Sequence, residues 1–288
     1  MTNISDNYIL INEIGSGSFG SVYLVKDNSN NNFLAAKVEE KTNNSRLFEE
    51  WKIYKKLELN GIIHGIPKVH SYIETPKFNI LIMELLGKTL ENVFEENGNR
   101  FDLNTTLKLG IEIVKLLENI HDAGFIHRDI KPSNFLLGND DNKKIYIMDF
   151  GLSKKIINNN KHMCYRYRKS IIGTARYASL NVHWNIEPTR RDDLESVGYM
   201  LIYFLKGVLP WQGLKKKRGL TQIEHIGEVK SCISIDKLCS DIPKCFCDYI
   251  NYCRNLGFDE KPDYKYLKSL FINTANELKI KLGYFWCK

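Results

Sequence analysis

The chain has 288 residues, 43% hydrophobic and 26% charged, enough for one large core or two small ones. A formal net charge of +7 favours anionic partners: nucleic acid, an anionic surface, or acidic and phosphorylated protein. Seven cysteines with no C-x-x-C pair near histidines argue against a zinc module and for reduced thiols. The polar start, Met1 to Asn7, has no apolar signal core, and the longest apolar run, Met200 to Leu205, is far too short to span a bilayer. The expectation is a soluble intracellular protein of cytoplasm or nucleus.

Tyr8 to Ile14 alternates weakly and reads as a strand, as does Val22 to Val25. Between them stands Gly15-Ser16-Gly17-Ser18-Phe19-Gly20. β-Branched and aromatic residues follow the last glycine, so a hairpin fits better than the strand-to-helix turn of dinucleotide folds. Such a hairpin lets backbone N–H groups approach phosphates without side-chain interference, though a plain tight turn has the same letters. Phe33 to Val38 is a third strand, with Lys37 inside an apolar run. A buried ammonium needs an anion, which ligand phosphates and a helical glutamate would supply; a strand edge is the bland alternative.

Asn44 or Ser45 can cap a helix that runs to about Leu59. Glu50, Ile53, Tyr54 and Leu57 share one of its faces, which makes Glu50 the partner of Lys37 and leaves Glu49 to solvent. Glu39 and Glu40 lie too close in sequence to reach that lysine well. Val69 to Glu74 and Asn79 to Met83 read as antiparallel strands. Glu84-Leu85-Leu86-Gly87 then hinges two lobes, and its backbone groups suit an adenine edge, with Met83 behind the base or simply in the core.

Phe101 to Asp122 is a long amphipathic helix, with Leu107, Ile111, Val114, Leu117 and His121 near one stripe. His121 reads as a helix-end residue rather than a ligand. His127-Arg128-Asp129-Ile130-Lys131-Pro132-Ser133-Asn134 follows, then a hairpin of Phe135 to Leu137 and Ile145 to Met148, then Asp149-Phe150-Gly151. Asp129 has the type and context of a carboxylate that accepts a proton from an attacking hydroxyl. Lys131 stands where an ammonium could neutralise a phosphate in flight. Asn134 and Asp149 offer hard oxygen atoms, which suit magnesium rather than zinc. Phosphoryl transfer asks for this set.

Leu152 to Ile172 is polar and basic, with Lys154, Lys155, Lys161, Arg166, Arg168 and Lys169 either solvated or in contact with substrate. Arg190-Arg191-Asp192-Asp193 leads into Leu194 to Leu205, an apolar helix for the core of the larger lobe. Asp193 can accept backbone N–H groups from the catalytic loop. Pro210-Trp211-Gln212-Gly213 closes that helix. Lys215 to Arg218 is a basic run open to nuclear targeting, nucleic-acid contact or plain surface. Ile223 to Lys288 reads as short helices, with a turn at Lys261 to Tyr264.

These motifs together resemble eukaryotic-type protein kinases, and more narrowly the casein kinase I family. The narrower likeness lies in Glu84 to Gly87, His127 to Leu136, Gly173-Thr174-Ala175-Arg176-Tyr177-Ala178-Ser179, Arg190 to Ser196, Leu209 to Gly213 and Lys261 to Tyr264. The resemblance implies an α+β fold and a single kinase domain over 1–288. Its small antiparallel β-lobe with one long helix would span about 8–84, the hinge 85–88, and the mainly helical lobe 89–288. It implies a monomeric serine/threonine kinase using ATP and Mg2+ on protein substrates with acidic or phosphorylated residues near the target, with no membrane or nucleic-acid partner. Asp129 and Lys131 would be catalytic, and Asn134 and Asp149 would hold the metal. Ile14, Gly15, Ser16, Gly17, Ser18, Phe19, Gly20, Val22, Ala35, Lys37, Glu50, Met83, Glu84 and Leu86 would form the nucleotide site. Arg176 and Lys169 would form a substrate anion site. Two departures stand out. Where the family carries a second basic cluster, this chain has Gly219-Leu220-Thr221-Gln222, and no regulatory tail follows, so tail autoinhibition is not expected.

Overall fold

The computed structural model describes residues 2–5, 7–17, 20–42, 45–159 and 161–287. The chain divides into two compact units, 1–88 with 136–151, and 89–135 with 152–288.

The first unit is built on an antiparallel sheet with strand order β1-β2-β3-β4-β6-β5. The strands are β1 (Thr2–Ser5), β2 (Tyr8–Gly17), β3 (Gly20–Asp27), β4 (Phe33–Glu40), β5 (Val69–Glu74) and β6 (Phe78–Glu84). Side chains alternate across a strand, so register sorts them by face. Val25, Leu34, Ala36, Ile80 and Ile82 form a core on one face, with Tyr8, Tyr23 and Val38 packed on it. Val22 lies opposite Lys37 and Ala35 opposite Met83, which puts these four on the other face. The strand Phe135–Leu137, which begins at the unit boundary, pairs with Ile145–Ile147. Leu137 exchanges backbone bonds with Gly87 and Lys88.

Helix α1 (Leu47–Leu59) buries Leu47, Glu50, Tyr54 and Leu57 at helical spacing. Its start corrects the sequence reading. The N-cap is Arg46, with no capping bond from its own side chain, and not Ser45; Asn44 lies outside the described residues. The first-turn donors go to Glu39 on β4, which accepts from the N–H groups of Leu47 (3.0 Å) and Arg46 (3.2 Å) and from the Ser45 hydroxyl (2.8 Å). A carboxylate there satisfies orphan N–H groups and meets the positive end of the helix dipole.

The second unit is mainly helical: α2 (Leu90–Glu96), α3 (Leu103–Asp122), α4 (Leu180–His183), α5 (Arg190–Lys206), α6 (Gln222–Cys232), α7 (Ile235–Leu238), α8 (Lys244–Asn255) and α9 (Tyr264–Glu277). Helix α3 starts where the Asp102 carboxylate accepts the Thr105 N–H at 2.8 Å. Helix α5 is buried on every side from Leu194 to Ile202, as a helix through the middle of a core must be. Helices α3 and α8 pack on it, and α9 packs on α3. It ends at Gly207, whose φ of 78° is the left-handed conformation that closes helices. The helix therefore stops before Pro210-Trp211-Gln212-Gly213, which was expected to close it.

Helix α3 approaches α9 through Gly110, where a Cβ would stand 2.7 Å from the Phe271 ring. Alanine would gain about 1 kcal/mol in helix propensity, but overpacking a fully buried ring costs about 1–3 kcal/mol. Gly110→Ala should therefore lower stability by up to about 2 kcal/mol in urea denaturation.

Candidate active site

In the first unit, the hairpin expected at the glycines is present, with Gly15 opposite Val22 and Gly17 opposite Gly20. Ser18 and Phe19 lie outside the described residues. Gly20 is required by the backbone: its φ is 121° and a Cβ would meet the Val38 carbonyl oxygen at 2.1 Å. At Gly17, by contrast, no described residue lies within 4 Å of the Cβ position. Ile14, Gly15, Ser16 and Gly17 are exposed, Val22, Glu84 and Leu86 half-buried, and Ala35 and Met83 buried. Glu84 ends β6 with its carboxylate on the Lys68 N–H at 3.0 Å.

Lys37 is brought to the two carboxylates it needs. Its Nζ lies 2.7 Å from Glu50 Oε2 and 2.9 Å from Asp149 Oδ1, with 8% of the lysine side chain exposed. Burial alone would lower the ammonium pKa. Glu50 and Asp149 more than reverse that and hold it above the usual lysine value. Glu49 faces outward and pairs with Lys52. Asp149 has a φ of 68°, unusual for a residue with a side chain. Its N–H donates to the Tyr54 phenol oxygen at 3.2 Å, a bond from α1 that sequence reasoning missed. The Tyr54 ring also meets Phe150 edge to face.

In the second unit, Asp129 is buried. Its Oδ1 accepts from the Thr174 hydroxyl at 2.8 Å, and Lys131 Nζ lies 2.7 Å from Oδ2. Asn134 donates from Nδ2 to the Asp129 carbonyl at 2.8 Å, which leaves its amide oxygen free to accept a hydrogen bond or ligate a metal. Arg128 sits at φ 70°. The strain is held by Asp193, which accepts the N–H groups of Arg128 (2.8 Å) and His127 (2.7 Å). His121 adds a third contact to Asp193 at 3.0 Å through Nε2 and meets the Tyr264 hydroxyl at 2.8 Å through Nδ1, so it is an anchor within the core. Burial would raise the Asp193 pKa, but the hydrogen bond and charge of His121, with those of His127, hold it below the ordinary aspartate value. Gly173, with φ 80°, passes so close that a Cβ would stand 2.3 Å from the Arg128 carbonyl oxygen.

Glu187 was not singled out from the sequence. Its side chain is 1% exposed, and four cations converge on it: Lys154 (2.9 Å), Arg166 (2.9 Å), Arg128 (3.2 Å) and Arg168 (3.3 Å). Burial would raise its pKa, but the hydrogen bond and charge of Lys154, with Arg166 and Arg168, hold it below the usual glutamate value. A signal existed, because Glu187 is the only acid between Asp149 and Asp192. Arg176 rests on ring faces, 5.6 Å from the Tyr203 centroid and 5.7 Å from that of Tyr177. Lys169 is exposed, and none of the described hydrogen bonds or ion pairs joins it to Arg176. Gln222 is exposed and donates to the Leu214 carbonyl at 3.3 Å. Among the described residues no group of three His, Cys, Asp or Glu side chains could hold a metal by itself. No helix among them is long and apolar enough to cross a membrane.

An ion-paired lysine on an antiparallel sheet, a buried aspartate beside a lysine and a threonine hydroxyl, and a mainly helical second unit define a phosphotransferase of the kinase type. Residues 8–261 match the family model described as protein kinase domain, and the chain belongs to that family. It is accordingly a protein kinase, with ATP and protein as its substrates.

Asp193→Asn would turn one of its acceptor oxygens into a donor that faces other donors. The variant should lose about 2–4 kcal/mol at pH 7 in chemical denaturation. The wild-type Asp193 pKa is depressed, so its contribution is present above about pH 4 and lost as pH falls through the lowered value. The gap between the two proteins should close correspondingly at low pH.

Proposed function

We propose that the chain is a serine/threonine kinase of casein kinase I type that acts on acidic or already phosphorylated protein segments. The observation that carries the chemistry is Asp129, buried with one oxygen on Thr174 and the other at Lys131. Asp129 orients the substrate hydroxyl and takes its proton, a role typically worth about 10²–10⁴-fold. Lys131 stabilises charge on the transferring group. Lys37, fixed by Glu50, neutralises the nucleotide's α and β phosphates. The hairpin from Gly15 to Gly20 covers the triphosphate, and Gly17 supports this reading because no described residue crowds its Cβ position. Ile14, Val22, Ala35, Met83, Glu84 and Leu86 complete the nucleotide site.

Magnesium fits the donors present. Asn134 offers an amide oxygen and Asp149 a carboxylate, hard ligands few in number, as this ion prefers when phosphates and water supply the rest. When bound it neutralises phosphate charge. The serine/threonine choice rests on the family likeness described above.

Arg176 supports the anionic preference. Its guanidinium is laid on two rings and has no carboxylate partner among the described ion pairs, which leaves it available to a phosphate or acidic side chain. Lys169 is exposed and adds positive charge. The protein would work as a soluble monomer in cytoplasm or nucleus.

The test is phosphate transfer from ATP and magnesium to matched peptides carrying phosphoserine, aspartate or alanine three residues before a target serine. Transfer should favour the anionic peptides, and Asp129→Asn should cut it by at least about 10² while ATP still binds. Equal rates on all three peptides would remove the anionic preference. Phosphotyrosine as the product would remove the serine/threonine assignment.

A further inference from the structure

Lys230, on α6, is fully buried and has no carboxylate partner among the described ion pairs. Buried lysines are rare because the group gives up its hydration. Burial drives its pKa well below the usual lysine value, against the pull of Glu195. What it has instead is a cage. Its Nζ donates to the carbonyls of Ala175 (2.8 Å) and Ala178 (2.6 Å). It also sits 4.9 Å from the ring centroids of both Tyr199 and Trp211, which meet each other edge to face. Even the neutral amine keeps two N–H groups, one for each carbonyl.

The cage holds one particular stretch of chain. Trp211 donates its indole N–H to the Arg176 carbonyl at 2.7 Å. His183 lies 3.3 Å from the Ala175 carbonyl. Burial, then Lys230, push the His183 pKa down to about 4, so the ring is neutral and Nε2 acts as donor to that carbonyl. Three side chains from α6, the end of α4 and the turn after α5 therefore take the carbonyls of residues 175, 176 and 178. The same segment presents Thr174 to Asp129 and lays Arg176 over Tyr177 and Tyr203.

We propose that Lys230, with Trp211, is a positioning residue for substrate recognition: it grips the 175–178 backbone from inside the fold and so aims Arg176 at the anionic group of the substrate. A lysine is suited to this because one Nζ reaches two carbonyls three residues apart and closes the segment into a fixed bend. An apolar residue of the same length would fill the space without fixing the bend. The proposal rests on the reading of Arg176 given above.

The experiment is steady-state kinetics of the full chain on the aspartate peptide, for wild type, Lys230→Met, Arg176→Ala and the double variant. Lys230→Met should raise KM for the peptide about tenfold while KM for ATP stays within about twofold. Arg176→Ala on top of Lys230→Met should add less than about twofold, because the two act through one contact. A peptide KM that stays at the wild-type value, a KM for ATP that rises alongside it, or effects that multiply in the double variant would overturn the proposal. If Arg176→Ala alone leaves the peptide KM unchanged, the Arg176 reading fails, and with it the use assigned to the grip. If Lys230→Met does not fold, Trp211→Phe, which removes the indole donor to the Arg176 carbonyl, carries the same expectations and is overturned by the same results.

Discussion

A carboxylate out of reach of water must be surrounded by donors, and Asp193 is. It stands in the first turn of α5, the helix that the second unit is packed around, and it takes the N–H groups of His127 and Arg128. That arrangement ties the loop bearing Asp129 to a helix buried on every side from Leu194 to Ile202. It also permits Arg128 to keep a positive φ that would otherwise relax. The geometry of Asp129, Lys131 and Asn134 is thus inherited from a residue with no access to substrate.

The basic segment after Asp149 shows the same logic with the signs reversed. Composition marks it as a cationic surface, yet three of its cations turn inward to Glu187 with Arg128. One buried acid cannot neutralise four bases, so a net positive field remains where the segment folds back. Charge counts alone do not separate cations held by the protein from cations offered to a partner. Partners are what separate them: Lys154 is held by the Glu187 carboxylate, whereas Arg176 rests on the rings of Tyr177 and Tyr203.

Motifs with local spacing were legible from the sequence. Asp129, Lys131 and Asn134 lie within six residues of one another, and Lys37 betrayed itself by standing in an apolar strand. The two-part α+β organisation came with the family resemblance, and the order of strands first and helices later agrees with it. What escaped notice depends on distance along the chain. The cap of α1 comes from Glu39 in a strand, and the bond that holds Asp149 comes from Tyr54 in a helix. Glu187 and Lys230 look like ordinary surface charges until the fold encloses them. The end of α5 was read to within one residue, at Leu205 against Lys206, but its stop was credited to Pro210, although Gly207 supplies the left-handed turn.

Glu39 has one more implication. It lies two residues beyond Lys37 on the same strand, so both side chains leave β4 on the same face. Lys37 grips α1 at Glu50, and Glu39 grips it at residues 45–47. A helix fastened at one point can pivot; one fastened at two cannot turn without releasing both. Any motion that parts Lys37 from Glu50 by swinging α1 must also uncap the helix, so its first turn would fray as it moved.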